Sequence, residues 1–227
     1  VAINRNATEA LNTVIFGLNL KAGDEVIGTK QDYPNMINAL KQRSTRDGIV
    51  YNQLNFKFPI ENEDEIVAAF EKAITPKTKI ILITHVINWI GQIMPVKKLC
   101  AMAKRHGIET IVDGAHSFGL LDFKVSELGC DYFGTSLHKF LSAPIGSGML
   151  WIKKENIAKI WPLVCNDQPN SADIRKFETL GTRSFPIEQG IGEAINFHTA
   201  IGSKRKEERI RYLKNYWASK VVTIPKV

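Results

Sequence analysis

Cysteine is scarce in this sequence. Cys100, Cys130 and Cys165 are the only three in 227 residues, and they lie far apart. An odd count without metal-ligand spacing excludes a disulfide framework and a cysteine-built zinc site, and no catalytic thiol signal surrounds any of them. Nor does the chain contain an apolar run approaching the ~20 residues a membrane helix requires, or a secretory leader pattern. Internal repeats and low-complexity tracts are missing as well. The formal charge of +7 is moderate. Part of it comes from Lys204-Arg205-Lys206 with Arg209 and Arg211 nearby, but Glu207 and Glu208 interrupt the run, and its spacing suits one solvated helix face. The expectation is a protein without a structural metal, with no nucleic-acid or membrane partner. A cytoplasmic location follows, unless an export signal precedes Val1.

What the chain does contain is alternation. Hydrophobic residues make up 44%, ample for one sizeable core. Strands are predicted at Val1–Arg5, Glu25–Gly28, Ile49–Leu54, Lys79–Thr84, Ile108–Val112, Asp131–Thr135 and Gly148–Ile152. Helices are predicted between the first five: Thr8–Leu20, Tyr33 to about Thr45 with Pro34 near the first position, Glu61–Ala73, and Pro95 to His106-Gly107. Runs such as Lys-Ile-Ile-Leu-Ile-Thr are apolar on both faces, as in a parallel sheet covered on both sides. The fold class is α/β: a mostly parallel seven-stranded sheet with helices on both faces. Trp161–Arg183 reads as a long loop. A single helix is predicted from Pro186 to about Ser219, and Val221–Val227 resemble the start of another strand unit. Residues 1–219 are therefore expected to form one large domain lacking an N-terminal segment, and residues 220–227 to open a largely missing C-terminal small domain.

Ligands of open parallel sheets collect at the carboxyl ends of the strands, and the notable polar residues fall there. Asn6-Ala7-Thr8-Glu9 follows the first strand. Asn6 with Glu9 three residues later has the form of a capping box, and the backbone N–H groups with the Thr8 hydroxyl would suit a phosphate at a helix N-terminus. Tyr33 follows the second strand and would stack on a planar ring. Asn88, after His85, follows the fourth strand and would donate to a ring oxygen or a substrate carboxylate. Asp113 and His116 follow the fifth. Ser136, His138 and Lys139 follow the sixth. An imine-forming lysine combined with an upstream strand-end carboxylate is what pyridoxal 5'-phosphate (PLP) asks of a protein: the lysine holds the aldehyde as a Schiff base, and the carboxylate keeps the ring nitrogen protonated. Desolvation or nearby cations would make the lysine amine nucleophilic.

The stretches Ala7-Thr8-Glu9, Val86-Ile87-Asn88, Val112-Asp113-Gly114-Ala115-His116, Ser136-Leu137-His138-Lys139 and Gly181-Thr182 resemble, in order, those of the class V aminotransferases of the fold-type-I PLP enzymes. This is the group of isopenicillin N epimerases and cysteine desulfurases. The resemblance implies the large PLP-binding domain of that fold. It implies phosphate contacts from Ala7, Thr8, Ser136 and His138, and a Schiff-base lysine at Lys139. Asp113 would lie on the ring nitrogen, and His116 near the ring hydroxyl, where the family often has glutamine. Gly181 and Thr182 would reach the cofactor of a neighbouring subunit, which implies a homodimer with shared active sites. Tyr33 occupies the stacking position where desulfurases usually carry histidine, and this leans toward the epimerase-like branch. The desulfurase nucleophilic cysteine and the substrate-carboxylate arginine would lie outside this sequence.

The expected function is therefore that of a PLP-dependent enzyme acting on an α-amino acid or related amine, with Lys139, Asp113 and His116 as the catalytic residues. The outcome would be epimerisation, transamination or desulfuration, with an isopenicillin-N-epimerase-like reaction favoured and a cysteine desulfurase or lyase as the alternative. A different class is an α/β domain that binds a phosphate ligand without catalysis.

Overall fold

The structure, a computed structural model, describes residues 1–224. Five strands alternating with four helices open the chain: β1 (Ala2–Asn4), α1 (Ala7–Gly17), β2 (Glu25–Thr29), α2 (Pro34–Asp47), β3 (Val50–Leu54), α3 (Glu63–Lys72), β4 (Thr78–Thr84), α4 (Val96–Arg105) and β5 (Glu109–Asp113). Then follow α5 (Val125–Leu128), β6 (Tyr132–Ser136), β7 (Gly148–Ile152), two 3-10 turns at Lys154–Lys159 and Ile174–Glu178, and helices α6 (Phe185–Ile201) and α7 (Ser203–Val221). The seven strands form one sheet in the order β1-β7-β6-β5-β4-β2-β3. Only β7 runs against its neighbours, so the mostly parallel seven-stranded sheet expected from the sequence is present.

Side chains alternate across the strands and feed two cores. Ile80, Leu82, Ile111, Tyr132 and Leu150 pack with α1 and α2 on one face. Ile81, Ile83, Val112 and Phe133 pack with α3 and α4 on the other. A smaller cluster joins Leu137, Leu141 and Ala143 to Ile191 and Ala194 of α6.

Helix α1 carries the architecture of the site. Its N-cap Asn6 accepts from the Glu9 N–H at 2.9 Å, as the sequence predicts. The second half of the box differs: the buried Glu9 accepts from the Arg5 N–H at 2.6 Å, one residue before the cap, and from the Arg5 guanidinium. At its far end the buried Arg43 of α2 donates to the carbonyls of Ile15 and Leu18 at 2.7 and 2.8 Å, satisfying carbonyls that a helix terminus leaves open. In the middle, α1 crosses Gly134 of β6 so closely that a Cβ there would lie 2.7 Å from Leu11 Cγ and 3.2 Å from Ala10 Cβ.

Four expectations need correction. The helix predicted from Pro186 to Ser219 is two helices, broken at Gly202, which has φ 91°. Val221 ends α7, and Val222–Ile224 form a turn and bend, so no strand begins there; 225–227 lie outside the described residues. The long loop contains the 3-10 turn at Ile174–Glu178, pinned because Phe177 enters the core and Glu178 accepts from the Ile3 N–H at 2.7 Å. Lastly, Lys206 does not sit on a purely solvated helix face; its Nζ donates to the Phe140 carbonyl beside Lys139.

Replacing Gly134 with alanine should force α1 away from the sheet. We expect a loss of about 1–3 kcal/mol, read as a lower denaturant midpoint at an unchanged slope; an unaltered midpoint would show that α1 does not need the close approach.

Candidate active site

Ser136 shares a sheet face with Tyr132 and Gly134, and Asp113 shares that face with Ile111. The carboxyl ends of β5 and β6 therefore present Asp113 and Ser136 on the side covered by α1, at its N-terminus. Asp113 is buried. Its Oδ1 accepts from the Ala115 N–H at 2.9 Å, and its second oxygen has no protein donor among the described residues. Burial pushes the Asp113 carboxyl above its ordinary pKa, opposed by the Ala115 N–H and the positive charge of Lys139.

Lys139 lies on the turn after β6. Its Nζ is 3.0 Å from His116 Nε2. Burial lowers the pKa of the Lys139 amine, with Asp113 pulling the other way. Burial and the Lys139 charge both lower that of His116. The consistent assignment is a neutral imidazole accepting from the amine at Nε2. The structure thus gathers Asp113, His116 and Lys139 into one half-buried cluster.

The phosphate-binding expectation becomes more specific. Ala7 N–H donates to Ser136 Oγ at 2.9 Å, Glu9 N–H to Asn6 Oδ1, and Ala10 N–H to the Asn6 carbonyl. Among residues 7–10 only the Thr8 N–H is unpartnered. It joins the hydroxyls of Thr8 and Ser136 as donors available to an anion at the positive end of α1. Ala7 is thus committed to Ser136 rather than open to a ligand. His138 Nδ1 lies 3.1 Å from the Ser147 carbonyl. Since a carbonyl only accepts, Nδ1 carries the proton, and Nε2 can donate only when the ring is an imidazolium.

Tyr33 and Asn88 stand at the same sheet end, both exposed. Their loops are tied together: Trp89 Nε1 donates to the Gln31 carbonyl at 3.3 Å. Gly181 and Thr182 are placed apart from this cluster. Thr182 is exposed and lines a separate cavity of about 270 Å³ with Asn4, Arg5, Ser147, Arg183 and Glu188. Cys100 and Cys130 are buried and Cys165 is exposed; all three are free. Among the described residues no cluster of metal ligands occurs, and no helix is long and apolar enough to cross a membrane.

One buried residue escaped the sequence reading. Asp32 accepts from the Thr29 N–H at 2.6 Å and from Thr84 Oγ1 at 2.8 Å. Burial raises its carboxyl to about 6, with nearby Asp113 adding to the rise. The available signal was its place: it follows β2 and precedes Tyr33, at the sheet end that also bears Asp113, Ser136 and Lys139.

Fold and site together define an open α/β domain in which an amine, a buried carboxylate and a helix N-terminus meet at the strand ends. The chain belongs to the aminotransferase class-V family, whose model matches residues 2–227. It is 30% identical over 233 residues to an isopenicillin N epimerase of Amycolatopsis lactamdurans, covering 94% of this chain and 58% of that protein. It is 33% identical over 230 residues to a probable cysteine desulfurase of Halalkalibacterium halodurans, covering 95% and 55%. The chain therefore spans little more than half the length of these curated relatives. In fold it matches the cystine C–S lyase C-DES, solved with its reaction product cysteine persulfide, at a TM-score of 0.89 and 24% identity, over 99% of this chain and 62% of that one. The cysteine desulfurase CsdA from Escherichia coli gives a TM-score of 0.89 at 20% identity, over 99% and 58%.

Two outcomes follow from the electrostatics. Lys139 should react ahead of surface lysines with limiting formaldehyde and a mild hydride at pH 8, read by peptide mass mapping; labelling no faster than the bulk would contradict its lowered proton affinity. Asp32 has a folded-state pKa above its unfolded one, so its contribution to stability is complete below about pH 4 and is lost as pH rises through about 6. Asp32→Asn should therefore be more stable than the parent at pH 8, by up to about 3 kcal/mol, with the difference closing below pH 4. A pH-independent difference in thermal midpoints would refute this.

Proposed function

We propose that this chain is the cofactor-binding part of a PLP-dependent enzyme acting on an α-amino acid or a related amine. The observation that carries the reading is the meeting of a desolvated lysine amine, a buried carboxylate with one oxygen free of donors, and an anion-binding helix terminus at one sheet end. These groups fit the cofactor. Thr8 and Ser136 offer three donors to its phosphate. Asp113, otherwise driven toward protonation by burial, gains from a cationic N–H and would hold the ring nitrogen in its protonated form. Lys139 is the amine for its aldehyde. Membership of the aminotransferase class-V family supports the same assignment.

The bound cofactor supplies an electron sink for charge developing at the substrate α-carbon. This chain's residues do the rest. Lys139 would serve as general base toward the substrate α-proton, because its lowered pKa favours the neutral amine. His116 Nε2 fixes the direction of that amine at 3.0 Å. Tyr33 would stack on one face of the ring, and Asn88 would donate to a ring oxygen or the substrate carboxylate. Thr182, with Gly181, serves the cofactor of a second subunit, so the active enzyme is a homodimer with shared sites. Residues 1–219 act as the large domain in this reading, and the cytoplasm is the compartment it assigns, in keeping with three unpaired cysteines.

We place an isopenicillin-N-epimerase-like reaction ahead of desulfuration. Tyr33 stands at the stacking position, and a relative named as that epimerase is 30% identical. A desulfurase would need a mobile reactive thiol; burial raises Cys100 to about 11 and Cys130 higher still, so neither is that thiol, and the resemblance puts the desulfurase cysteine outside this sequence. The relative named as a probable cysteine desulfurase, at 33% identity, keeps that chemistry as the alternative.

The purified protein should be yellow with PLP. Borohydride should bleach it and leave the label on Lys139, and Lys139→Ala should take up no borohydride-fixable cofactor; a colourless protein that gains no absorption band with added PLP would leave only a non-catalytic phosphate-binding domain. Asp113→Ala should still attach the cofactor but exchange the α-proton of an amino-acid panel in heavy water at least on the order of 10²-fold more slowly. Exchange at the parental rate would remove Asp113 from the mechanism.

A further inference from the structure

Asp32 is the most deeply buried acidic side chain that the proposed chemistry does not use, and its surroundings are built. Oδ2 receives the Thr29 N–H at 2.6 Å, and Oδ1 receives the Thr84 hydroxyl at 2.8 Å. Thr84 is the register partner of Asp113 in the parallel ladder between β4 and β5. In-register neighbours point the same way, and Thr84 continues the Ile80–Leu82 face just as Asp113 continues that of Ile111. The backbone makes room for this arrangement: a Cβ on Gly28 would stand 2.8 Å from Asp32 Oδ2 and 2.9 Å from the Tyr51 hydroxyl. Thr84 has one hydroxyl proton, and Asp32 holds it. That proton is then unavailable to Asp113, whose second oxygen stays without a donor.

We propose that Asp32 is a positioning residue for the cofactor ring: through Thr84 it keeps Asp113's free oxygen open, and it adds a second negative charge behind Asp113, so that the pair selects a ring carrying N–H⁺ over one that cannot. The ligand class this specifies is a protonated pyridine. The proposal rests on the PLP reading above and deepens it. Burying a lone carboxylate is unfavourable. Two in mutual reach are worse, and the second becomes useful only when a cation arrives. An Asx turn alone would explain the Thr29 contact. It does not explain why the other oxygen reaches across β2 to the partner of Asp113.

The test compares dissociation constants of the apo protein for PLP and for 1-deazapyridoxal 5'-phosphate, in which C–H replaces the ring nitrogen, by fluorescence titration at pH 8. The parent should prefer PLP. Asp32→Asn removes the charge and turns an amide N–H toward Thr84 Oγ1, which frees the Thr84 hydroxyl proton for Asp113; it should reduce that preference at least roughly tenfold, the size of one unit charge acting about 12 Å away at an effective dielectric of about 20, while binding the carbocyclic analogue as the parent does. Equal weakening toward both ligands would assign Asp32 a purely structural role and overturn the proposal, as would an unchanged preference. Should Asp32→Asn not fold, Asp32→Ala takes its place, because it removes the charge and releases the Thr84 proton together: a reduced preference supports the proposal, and equal weakening or an unchanged preference overturns it. If the parent itself binds neither compound, the PLP reading fails, and with it the proposal. A parent that binds PLP alongside an Asp32→Asn variant of parental preference sinks the proposal alone.

Discussion

The site depends on one electrostatic imbalance. Asp113 is buried, with a single donor, the Ala115 N–H, against one of its two oxygens. A carboxylate in that position is unfavourable as an anion and awkward as an acid. Lys139 offsets part of the cost from the side, but burial weakens its charge as well. A group bearing a positive N–H would complete the arrangement, and in the proposed function the ring nitrogen of PLP is that group.

The second constraint is steric. A positive helix terminus is useful only if the helix starts where the ligand's phosphate must lie. Gly134 allows α1 to lie against β6, Arg43 closes its last turn, and Ser136 Oγ fastens its first N–H to the strand beside Asp113. Packing, capping and site geometry are therefore one structure. The same hydroxyl that orders the helix start is left with its proton free to meet an anion.

Much of this was legible in the sequence because it follows from local rules. Unbroken apolar runs marked the buried strands. Pro34 and Gly107 marked a helix start and a helix end, and strand-end position picked out Asp113 and Lys139 before any contact was known. What was not legible depends on tertiary partners. The α6/α7 break needed only a positive φ at Gly202, yet the helical pattern on both sides concealed it. Asp32 reads locally as a turn residue, and only the juxtaposition of β2 with β4 turns it toward Thr84. Likewise the commitment of Ala7 N–H to Ser136 joins residues 129 positions apart, so no spacing rule could separate the engaged N–H from the free one at Thr8.

Helix α7 shows how far the site's support extends. Lys206 Nζ donates to the carbonyl of Phe140, the residue after Lys139, and lies 3.2 Å from His198 Nδ1 of α6. At the next position, Glu207 accepts from the Asp122 N–H at 2.7 Å. The loop bearing Lys139 is thereby held from its solvent side by a helix that would otherwise be described as a charged surface rod. A basic run that composition alone assigns to solvent thus includes one residue whose desolvated amine fixes the backbone next to Lys139. This also explains why α7 keeps its place with no fully buried residue of its own: directed polar contacts to two loops substitute for an apolar face.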